Sequence, residues 1–308
     1  LELAALGMVA DIMPLQGENR ILLKRALPRF AELDRPGLRA LMELARVSPG
    51  QITSEDIAFR LGPRLNAAGR IEHPRVALDL LARMEAPSGG VGLDLGCGTG
   101  FSLPELEREL APEELIAADL SPGMVDYARA HRGVDARWLV ADAANVPLAS
   151  GSLDWIQSSL MIQWCEDTGA VAREMARLLK PGGGAHLATL VDGTLTELES
   201  AWAEADPGRR HVNRFLTRAE LEARLAEGFE RVTVDVEPLV LWYPDVMALL
   251  GELKTLGARY KDEHRHRGAL GPGRLRAMRR AYDRHRDSRY GVPATWQVAF
   301  AHLTGPRQ

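Results

Sequence analysis

The sequence has almost no cysteine and no long apolar run, and each scarcity excludes a class of protein. Cys97 and Cys165 are its two cysteines, too few for a disulfide framework and not spaced as metal ligands. No apolar run approaches the roughly 18 residues that a membrane-spanning helix needs, and we recognise no signal peptide. These absences predict a cytoplasmic protein without a bound metal.

The composition that remains is that of a globular protein, with 46% apolar and 26% charged residues among 308. The length suits one large domain or two ordinary ones. The net charge of −4 conceals a basic stretch at 254–289, where 12 lysines and arginines face four acids. That stretch has two interpretations: a solvated helical face, or a docking surface for an acidic protein or nucleic acid.

A cluster of chain-breaking residues at 86–90 divides the sequence into two parts, which we predict as domains 1–86 and 87–308. In the first part, the sequence pattern predicts helices at 20–30, 35–46 and 73–84. Ser54, Glu55 and Asp56 can cap a further short helix after Ile52. A segment of this length would be a marginal domain by itself.

The second part alternates short apolar strands with helices, a pattern typical of a parallel sheet covered by helices on both faces. The predicted strands are 91–95, 115–119, 136–141, 153–158, 185–191, 231–236 and 296–302. The predicted helices are 104–110, 122–131, 168–179 and 218–227. A mostly helical insertion at about 240–295 separates the last two strands and contains the basic stretch.

A glycine-rich loop, formed by Gly96, Cys97, Gly98, Thr99 and Gly100, directly follows the first of these strands and precedes a helix. Glycines at such a turn let the backbone bend tightly and approach a ligand with no Cβ in the way. The loop alone is a weak signal, because an ordinary strand-to-helix turn also uses glycine. Its meaning depends on the residues around it.

Acidic residues stand at the ends of the first three strands. Asp94 lies just before the loop, where its carboxylate can fix the loop or meet an ammonium group. Asp119, followed by Leu120, ends the second strand, where a carboxylate can accept hydrogen bonds from ribose hydroxyls. Asp142 and Ala143 end the third strand, where a side-chain acceptor and a backbone N–H can read an adenine edge.

Together with a sharp turn at 180–184 into the fifth strand, these features resemble the class I methyltransferases, which use S-adenosylmethionine. The resemblance implies a Rossmann-like sheet of seven strands with helices on both faces. It also implies cofactor contacts from the loop and the strand ends, namely Asp94, Gly96, Cys97, Gly98, Gly100, Asp119, Leu120, Asp142 and Ala143. Cys97 fits there as a small residue and not as a nucleophile.

Four further segments narrow the resemblance: 158–167 (SSLMIQWCED), 211–216 (HVNRFL), 243–246 (YPDV) and 253–258 (LKTLGA). They are similar to the malonyl-acyl carrier protein O-methyltransferases of biotin synthesis, and the similarity runs from about 91 to 303. It implies methylation of the free carboxylate of a malonyl thioester. A carboxylate is already ionised at neutral pH, so the reaction needs positioning and removal of water but no general base.

We therefore expect a cation to hold the malonyl carboxylate. Arg214 is the first candidate, because a guanidinium can grip a carboxylate with two parallel hydrogen bonds; the alternative is a surface ion pair. His211 is the second candidate, with a structural role as its alternative. Trp164 and Tyr243 can line the pocket, although aromatic residues near strand ends more often belong to the core.

If this resemblance holds, it implies a function for the basic insertion. Acyl carrier proteins are acidic, so a face with Arg265, Arg267, Arg276, Arg279 and Arg280 can steer one to the site. Another small carboxylate or metabolite is the alternative acceptor. A nucleic-acid-binding module is the alternative from a different class of protein.

The first part of the chain resembles another family. Residues 6–15 (LGMVADIMPL), 17–20 (GENR) and 60–70 (RLGPRLNAAGR) are similar to part of the single-strand DNA exonuclease RecJ, a DHH phosphoesterase. The family's metal-binding Asp-His-His motif and upstream aspartates are absent, and Glu2 stands alone in a matching place, which excludes a two-metal nuclease site. This segment replaces the helical cover that such methyltransferases normally carry, through either a genuine fusion or an artefact of gene prediction.

Overall fold

The computed structural model describes residues 18–32, 52–57, 74–84, 89–255 and 272–307, together with residues 5, 42, 47, 48 and 50. The strands are β1 Val91–Leu95, β2 Glu114–Asp119, β3 Ala136–Val140, β4 Leu153–Ser159, β5 Leu179–Leu190, β6 Phe229–Tyr243 and β7 Val292–Pro306. They form one seven-stranded sheet in the order β3-β2-β1-β4-β5-β7-β6. The predicted seven-stranded Rossmann-like sheet is thus confirmed.

The described residues also include ten α-helices. They are α1 Glu18–Ala26, α2 Ser54–Asp56, α3 Pro74–Ala82, α4 Leu103–Leu110, α5 Pro122–His131, α6 Thr168–Leu178, α7 Thr196–Ala205, α8 Arg218–Leu225, α9 Val246–Thr255 and α10 Pro272–Asp283. None of the helices so described is both long and apolar enough to cross a membrane.

Alternate residues of the central strands supply two cores on opposite faces of the sheet, because successive side chains of a strand point in opposite directions. Ile156 of β4 packs with Met175 of α6 and Leu221 of α8 on one face. Its neighbour Trp155 packs with Leu103 of α4 on the other face. Helices therefore cover both faces, as the sequence predicts.

Strand β7 departs from the predicted parallel sheet. It runs antiparallel to both β5 and β6, whereas β1 to β5 pair in parallel. The sequence pattern predicted a parallel sheet, and β7 is the strand that differs from that prediction. The cause is the connection between β6 and β7, which returns the chain beside β6 in the opposite direction and does not cross over the sheet.

The insertion is shorter than predicted because β6 and β7 continue into it. They are 15 residues long each, and they pair from Phe229 with Pro306 to Tyr243 with Val292. The insertion therefore spans 244–291 and not 240–295, with α9 and α10 as its described helices. The sequence pattern also missed α7, which lies outside the insertion but packs against α10.

The predicted turn at 180–184 is part of β5. Leu153 of β4 pairs with Leu179, and Trp155, two residues on, pairs with Gly184, so five steps along β5 match two along β4. A Cβ added to Gly183 would lie 2.8 Å from the Asp154 carbonyl oxygen, which explains a glycine at this irregularity.

The N-terminal part contributes to two different cores. Leu23 and Phe30 belong to an apolar cluster that contains no residue of the sheet. Val76 and Leu80 of α3, in contrast, pack in a cluster with strand and helix residues of the second part, and α3 lies against β4 and β5. The predicted helix at 35–46 and the segment at 60–70 lie outside the described residues.

Candidate active site

The glycine loop lies at the carboxyl ends of the parallel strands, where open α/β sheets bind ligands. Gly96, Gly98 and Gly100 have φ values of +79°, +53° and +70°, which side chains other than hydrogen disfavour. A Cβ on Gly96 would lie 2.2 Å from Cγ of Met161. The N–H groups of Gly96 and Cys97 both donate to the carbonyl of Ala118, which fastens β1 to the end of β2.

Asp94 is buried beneath this loop. One of its carboxylate oxygens accepts a hydrogen bond of 2.8 Å from the Ser102 hydroxyl, and Gln157 lies 3.5 Å from the other. Burial, with the nearby Asp119 carboxylate, raises the pKa of Asp94 to about 7. The contact with Ser102, just before α4, favours the first of its two predicted roles, which is fixing the loop.

Asp119 connects the ends of β1 and β2. One oxygen accepts from the Gly98 N–H at 2.9 Å, and the other accepts from the Ser121 N–H at 2.8 Å. The next residue, Leu120, is 70% exposed, which is unusual for an apolar side chain between a buried strand and a helix. The Asp119 carboxylate can accept hydrogen bonds from a ribose, and the exposed Leu120 side chain beside it can pack against the adjoining adenine ring.

Asp142 and Ala143 follow β3 in a tight turn. The Asp142 side chain accepts from the Ala144 N–H at 2.9 Å, and its carbonyl accepts from the Asn145 N–H at 2.9 Å. The Asp142 side chain is exposed at this edge, while Ala143 packs against the core. Asp142 has carboxylate capacity left for a further donor, as a contact to an adenine amino group requires.

These features fit S-adenosylmethionine. The loop presents backbone where a Cβ would obstruct, and Asp119 and Asp142 present carboxylates at neighbouring strand ends with the exposed Leu120 between them. Cys97 is 2% exposed, so it serves as a small buried residue of the loop. The predicted cofactor residues are therefore brought together along one edge of the sheet.

The loop after β4 carries the first predicted acceptor residue, Trp164, which is 41% exposed. Leu160, which opens this loop, has a φ of +52°, and its carbonyl accepts a hydrogen bond of 2.7 Å from the Gln163 side chain. Thr189 of β5 in turn donates to Gln163 at 2.9 Å. Gln163 thus holds the loop in a strained backbone conformation, and Trp164 projects from it.

His211 belongs to a compact cluster at the end of α7. Its Nε2 lies 3.0 Å from a carboxylate oxygen of Asp206, and its ring stacks on Trp202 with centroids 4.1 Å apart. Asp206 is only 5% exposed and is also 3.4 Å from Nε of Arg274. His211 is therefore positioned by a buried acid, an aromatic ring and, through Asp206, by α10.

Arg214 lies on the surface, where its side chain is 72% exposed and 3.2 Å from a carboxylate oxygen of Glu220. Its neighbours fix its place: Val212 packs in the cluster that contains Trp202, and Leu216 packs against the core beside α6. The Leu216 carbonyl accepts from Asp192, just beyond β5, at 2.9 Å. In this structure Arg214 makes the surface ion pair that was its alternative interpretation.

Tyr243 is buried at the end of edge strand β6, within the cluster that contains Trp202. Four strand spacings, about 19 Å, separate β6 from β1 in the sheet. Burial and the Glu252 carboxylate raise the pKa of Tyr243. This placement favours a role in packing over contact with an acceptor at the glycine loop.

Several residues of the site carried no readable sequence signal. Arg132, the residue after α5, donates from Nε to the carbonyl of Thr99 at 2.7 Å and so fixes the outer side of the glycine loop. Arg209 and Arg210 are exposed beside His211. A single arginine after a helix, or a pair in a turn, has no spacing that distinguishes it from ordinary surface charge.

Comparison with protein families supports the assignment of the fold. The family described as "Methyltransferase domain" matches residues 93–187, which include the glycine loop, Asp119 and Asp142. YcgJ from Bacillus subtilis has a similar structure, with a TM-score of 0.55 at 16% identity, covering 77% of this chain and all of that one. A putative methyltransferase from Bacillus halodurans has a TM-score of 0.51 at 12% identity, covering 75% of this chain and 99% of that one.

Two relatives are more similar in sequence. The malonyl-[acyl-carrier protein] O-methyltransferase of Methylococcus capsulatus is 40% identical over 212 residues, which are 68% of this chain and 77% of that protein. The biotin biosynthesis bifunctional protein BioHC of Cellvibrio japonicus is 41% identical over 215 residues, which are 70% of this chain. The chain spans only 42% of the length of that bifunctional relative.

Proposed function

The chain belongs to the family of malonyl-[acyl-carrier protein] O-methyltransferases, and we propose that it methylates the free carboxylate of malonyl-acyl carrier protein in biotin precursor synthesis. The observation that carries this proposal is the glycine loop, with its Gly98 N–H held by Asp119, at the sheet edge shared with Trp164 and the 211–216 segment. Because neither Cys97 nor Cys165 forms a disulfide in the structure, we also propose a cytoplasmic location.

The cofactor supplies an activated methyl group on a positively charged sulfur, which needs no acid or base from the protein. Asp119 and Asp142 would hold its ribose and adenine, and the glycine loop would hold its amino-acid tail. The acceptor carboxylate is ionised at neutral pH. The chain's contribution is then to align the two reactants and to exclude water from the carboxylate.

Arg214 is the cation that we assign to the malonyl carboxylate. Its ion pair with Glu220 is largely exposed, and an exposed pair contributes only about 0–1 kcal/mol, so exchange of Glu220 for the acceptor costs little. Trp164 covers the acceptor at the mouth of the site. His211 supports this segment from its cluster with Asp206 and Trp202.

Helix α10 is the surface that we assign to the carrier protein. Arg276, Arg279 and Arg280 lie on one helical face at spacings of three and four residues, opposite the buried Met278 and Tyr282. An exposed row of arginines would attract an acidic partner and speed its association. Arg265 and Arg267, which belong to the same predicted surface, lie outside the described residues.

Transfer of labelled methyl from S-adenosylmethionine tests the function directly. We expect transfer to malonyl-acyl carrier protein in the intact protein and a strong loss in the Asp119→Asn variant, with Asp135→Asn, an exposed acid outside the site, as control. Transfer only to other carboxylates would replace the acceptor that we propose. Salt-dependent binding of single-stranded DNA without any methyl transfer would favour a nucleic-acid-binding module.

A further inference from the structure

A groove of about 310 Å³ lies beside His211, outside the row of strand ends that holds the cofactor. The residues that line it include Glu199, Trp202, Arg209, Arg210 and His211. Arg209 and Arg210 are both exposed, and neither forms an ion pair with a residue in the part of the chain that the structure describes. The groove thus combines unpaired guanidinium groups with an aromatic wall.

The turn that carries the two arginines is held in place. Gly208 has a φ of +82°, and the Arg209 N–H donates to the Asp206 carbonyl at 3.2 Å, which closes the turn after α7. The Asp206 carboxylate does not neutralise the groove, because it faces His211 and Arg274. Glu199 is the opposing charge, so the groove is cationic by two arginines against one acid.

The groove lies at the end of the segment that leads to the acceptor site. Val212, next to His211, packs in the same cluster as Leu160, the first residue of the loop after β4. The six residues from His211 to Leu216 span at most about 18 Å, and the Leu216 carbonyl accepts a hydrogen bond from Asp192, just beyond β5. A ligand whose anionic group is held by Arg209 and Arg210 can therefore reach the strand ends with one long, thin substituent.

We propose that this groove binds the phosphate group of the 4′-phosphopantetheine arm that carries the malonyl thioester, with Arg209 and Arg210 on the phosphate oxygens and Trp202 against the arm. Paired guanidinium groups match phosphate oxygens in geometry and charge. This inference rests on the proposed function, since it identifies the part of that acceptor that the groove recognises. The same phosphate occurs on coenzyme A, so both malonyl thioesters share the recognition.

Steady-state kinetics with three malonyl acceptors of different size distinguish the contribution of this groove from that of the α10 surface. In the Arg209→Ala/Arg210→Ala variant we expect KM to rise about ten-fold or more for malonyl-acyl carrier protein and for malonyl-coenzyme A, with kcat nearly unchanged. KM for malonyl-N-acetylcysteamine, which lacks the phosphate, should not change. The Arg279→Ala/Arg280→Ala variant is the matched control, and it should raise KM only for the carrier protein.

A charge change of opposite sign sharpens the test. Glu199→Gln removes the carboxylate that lines the groove, so it should lower KM for both phosphate-bearing acceptors by about two- to five-fold and leave the small thioester unaffected. Equal KM changes for all three acceptors would indicate a general disturbance of the site and would overturn the inference. An effect on the carrier protein alone would instead make Arg209 and Arg210 part of a protein-docking surface.

Binding measured without turnover distinguishes failure of the inference from failure of the proposed function. Calorimetric titration with coenzyme A should show an affinity that the Arg209→Ala/Arg210→Ala variant loses and that inorganic phosphate at high concentration competes away. If methyl transfer to malonyl-acyl carrier protein occurs but the unchanged protein and the Arg209→Ala/Arg210→Ala variant bind coenzyme A alike, the groove inference fails and the function stands. If the groove binds coenzyme A but no malonyl thioester is methylated, the function fails instead.

Discussion

Two regions of this protein are built in different ways. The cofactor edge is the row of strand ends with the glycine loop, Asp119 and Asp142, and the acceptor side is the surface that carries Arg214 and α10. The cofactor edge consists of backbone turns and partly buried hydrogen bonds, such as those from Gly98 and Ser121 to Asp119. The acceptor side consists of exposed cations on the α7–α10 region and the 211–216 segment, among them Arg214, which is 72% exposed. A rigid cofactor edge admits few substitutions, whereas exposed charges act additively and respond to salt.

The largest expected effect is at the cofactor edge, in Gly96→Ala. Alanine would have to adopt a φ of +79° and would meet Met161, so the loop must move. We expect affinity for S-adenosylmethionine to fall at least about 100-fold, from strain of about 1–3 kcal/mol and a displaced loop. Calorimetry should be compared with Gly133→Ala, which has a φ of +65° with no atom within 4 Å and lies outside the loop. Equal losses in both variants would remove the loop from the binding site.

Asp119→Asn should give the next largest effect. An asparagine offers one acceptor oxygen where the carboxylate gives two, so Gly98 or Ser121 loses its partner and the ribose loses a charged acceptor. We expect the dissociation constant for S-adenosylmethionine to rise about 10- to 100-fold. Thermal unfolding of the apo protein should change little by comparison. A variant that binds the cofactor normally would contradict this role.

On the acceptor side, Arg214→Ala should raise KM for the malonyl acceptor about ten-fold and leave cofactor affinity nearly unchanged. Glu220→Gln is its matched variant, because it releases Arg214 from its partner and should lower the same KM slightly. Unchanged acceptor kinetics in Arg214→Ala would leave Arg214 with its surface ion pair alone.

Added salt should affect the acceptor side more than the cofactor edge, and its effect on activity should be smaller than those of the substitutions above. Between about 50 and 200 mM salt, activity on malonyl-acyl carrier protein should fall several-fold, while activity on a small malonyl thioester stays constant. Arg279→Ala/Arg280→Ala should flatten that dependence. Equal salt sensitivity for both substrates would contradict docking on α10.

The last expected effect concerns the stability of the sheet and not the activity, at a place away from both regions. His186 of β5 stacks on His302 of β7 with ring centroids 4.4 Å apart, and burial, with His302, lowers the pKa of His186 to about 4. Because this pKa is below that of an unfolded histidine, about 6.5, the unfolded state takes up more protons between these values. His186 therefore favours folding above pH 6.5, and that contribution is lost as pH falls towards 4.

Replacement by phenylalanine removes that dependence. His186→Phe should lose less stability than the unchanged protein between pH 6.5 and 4, by about 1–3 kcal/mol in denaturant unfolding. Asp94, whose pKa is raised to about 7, acts in the opposite direction and is common to both proteins, so it cancels in the comparison. Parallel stability curves would contradict the assignment.

The sequence predicted the centre of the sheet better than its edge, for a physical reason. Strand β1 was predicted at its observed bounds, because it is buried on both faces and a glycine turn ends it. Strand β6 was predicted at 231–236 and extends to Phe229 and Tyr243. As an edge strand it alternates exposed and half-buried residues, so its local pattern is weak, and its pairing with β7 depends on residues 49 to 77 positions away.

The same contrast holds for the site. Gly96, Gly98 and Asp119 could be predicted because turn geometry requires these residue types directly after a strand. Arg214 and Tyr243 could be named from a family resemblance, but their exposure and burial depend on how the helices pack. Arg132 and Gln163 were not found, because each acts through a hydrogen bond to a backbone carbonyl that any sequence would provide.

Helix α3 lies before the boundary that the sequence predicts, yet it packs with the residues after that boundary. The predicted division is between residues 86 and 87, whereas Val76 and Leu80 are 2% and 1% exposed within the second core. Arg83 also binds both carboxylate oxygens of Glu237 in β6 at 2.8 Å and lies over the Phe300 ring. A chain cut at the predicted boundary would therefore expose apolar surface on the sheet. The smallest unit that keeps this surface covered includes residues 74–84.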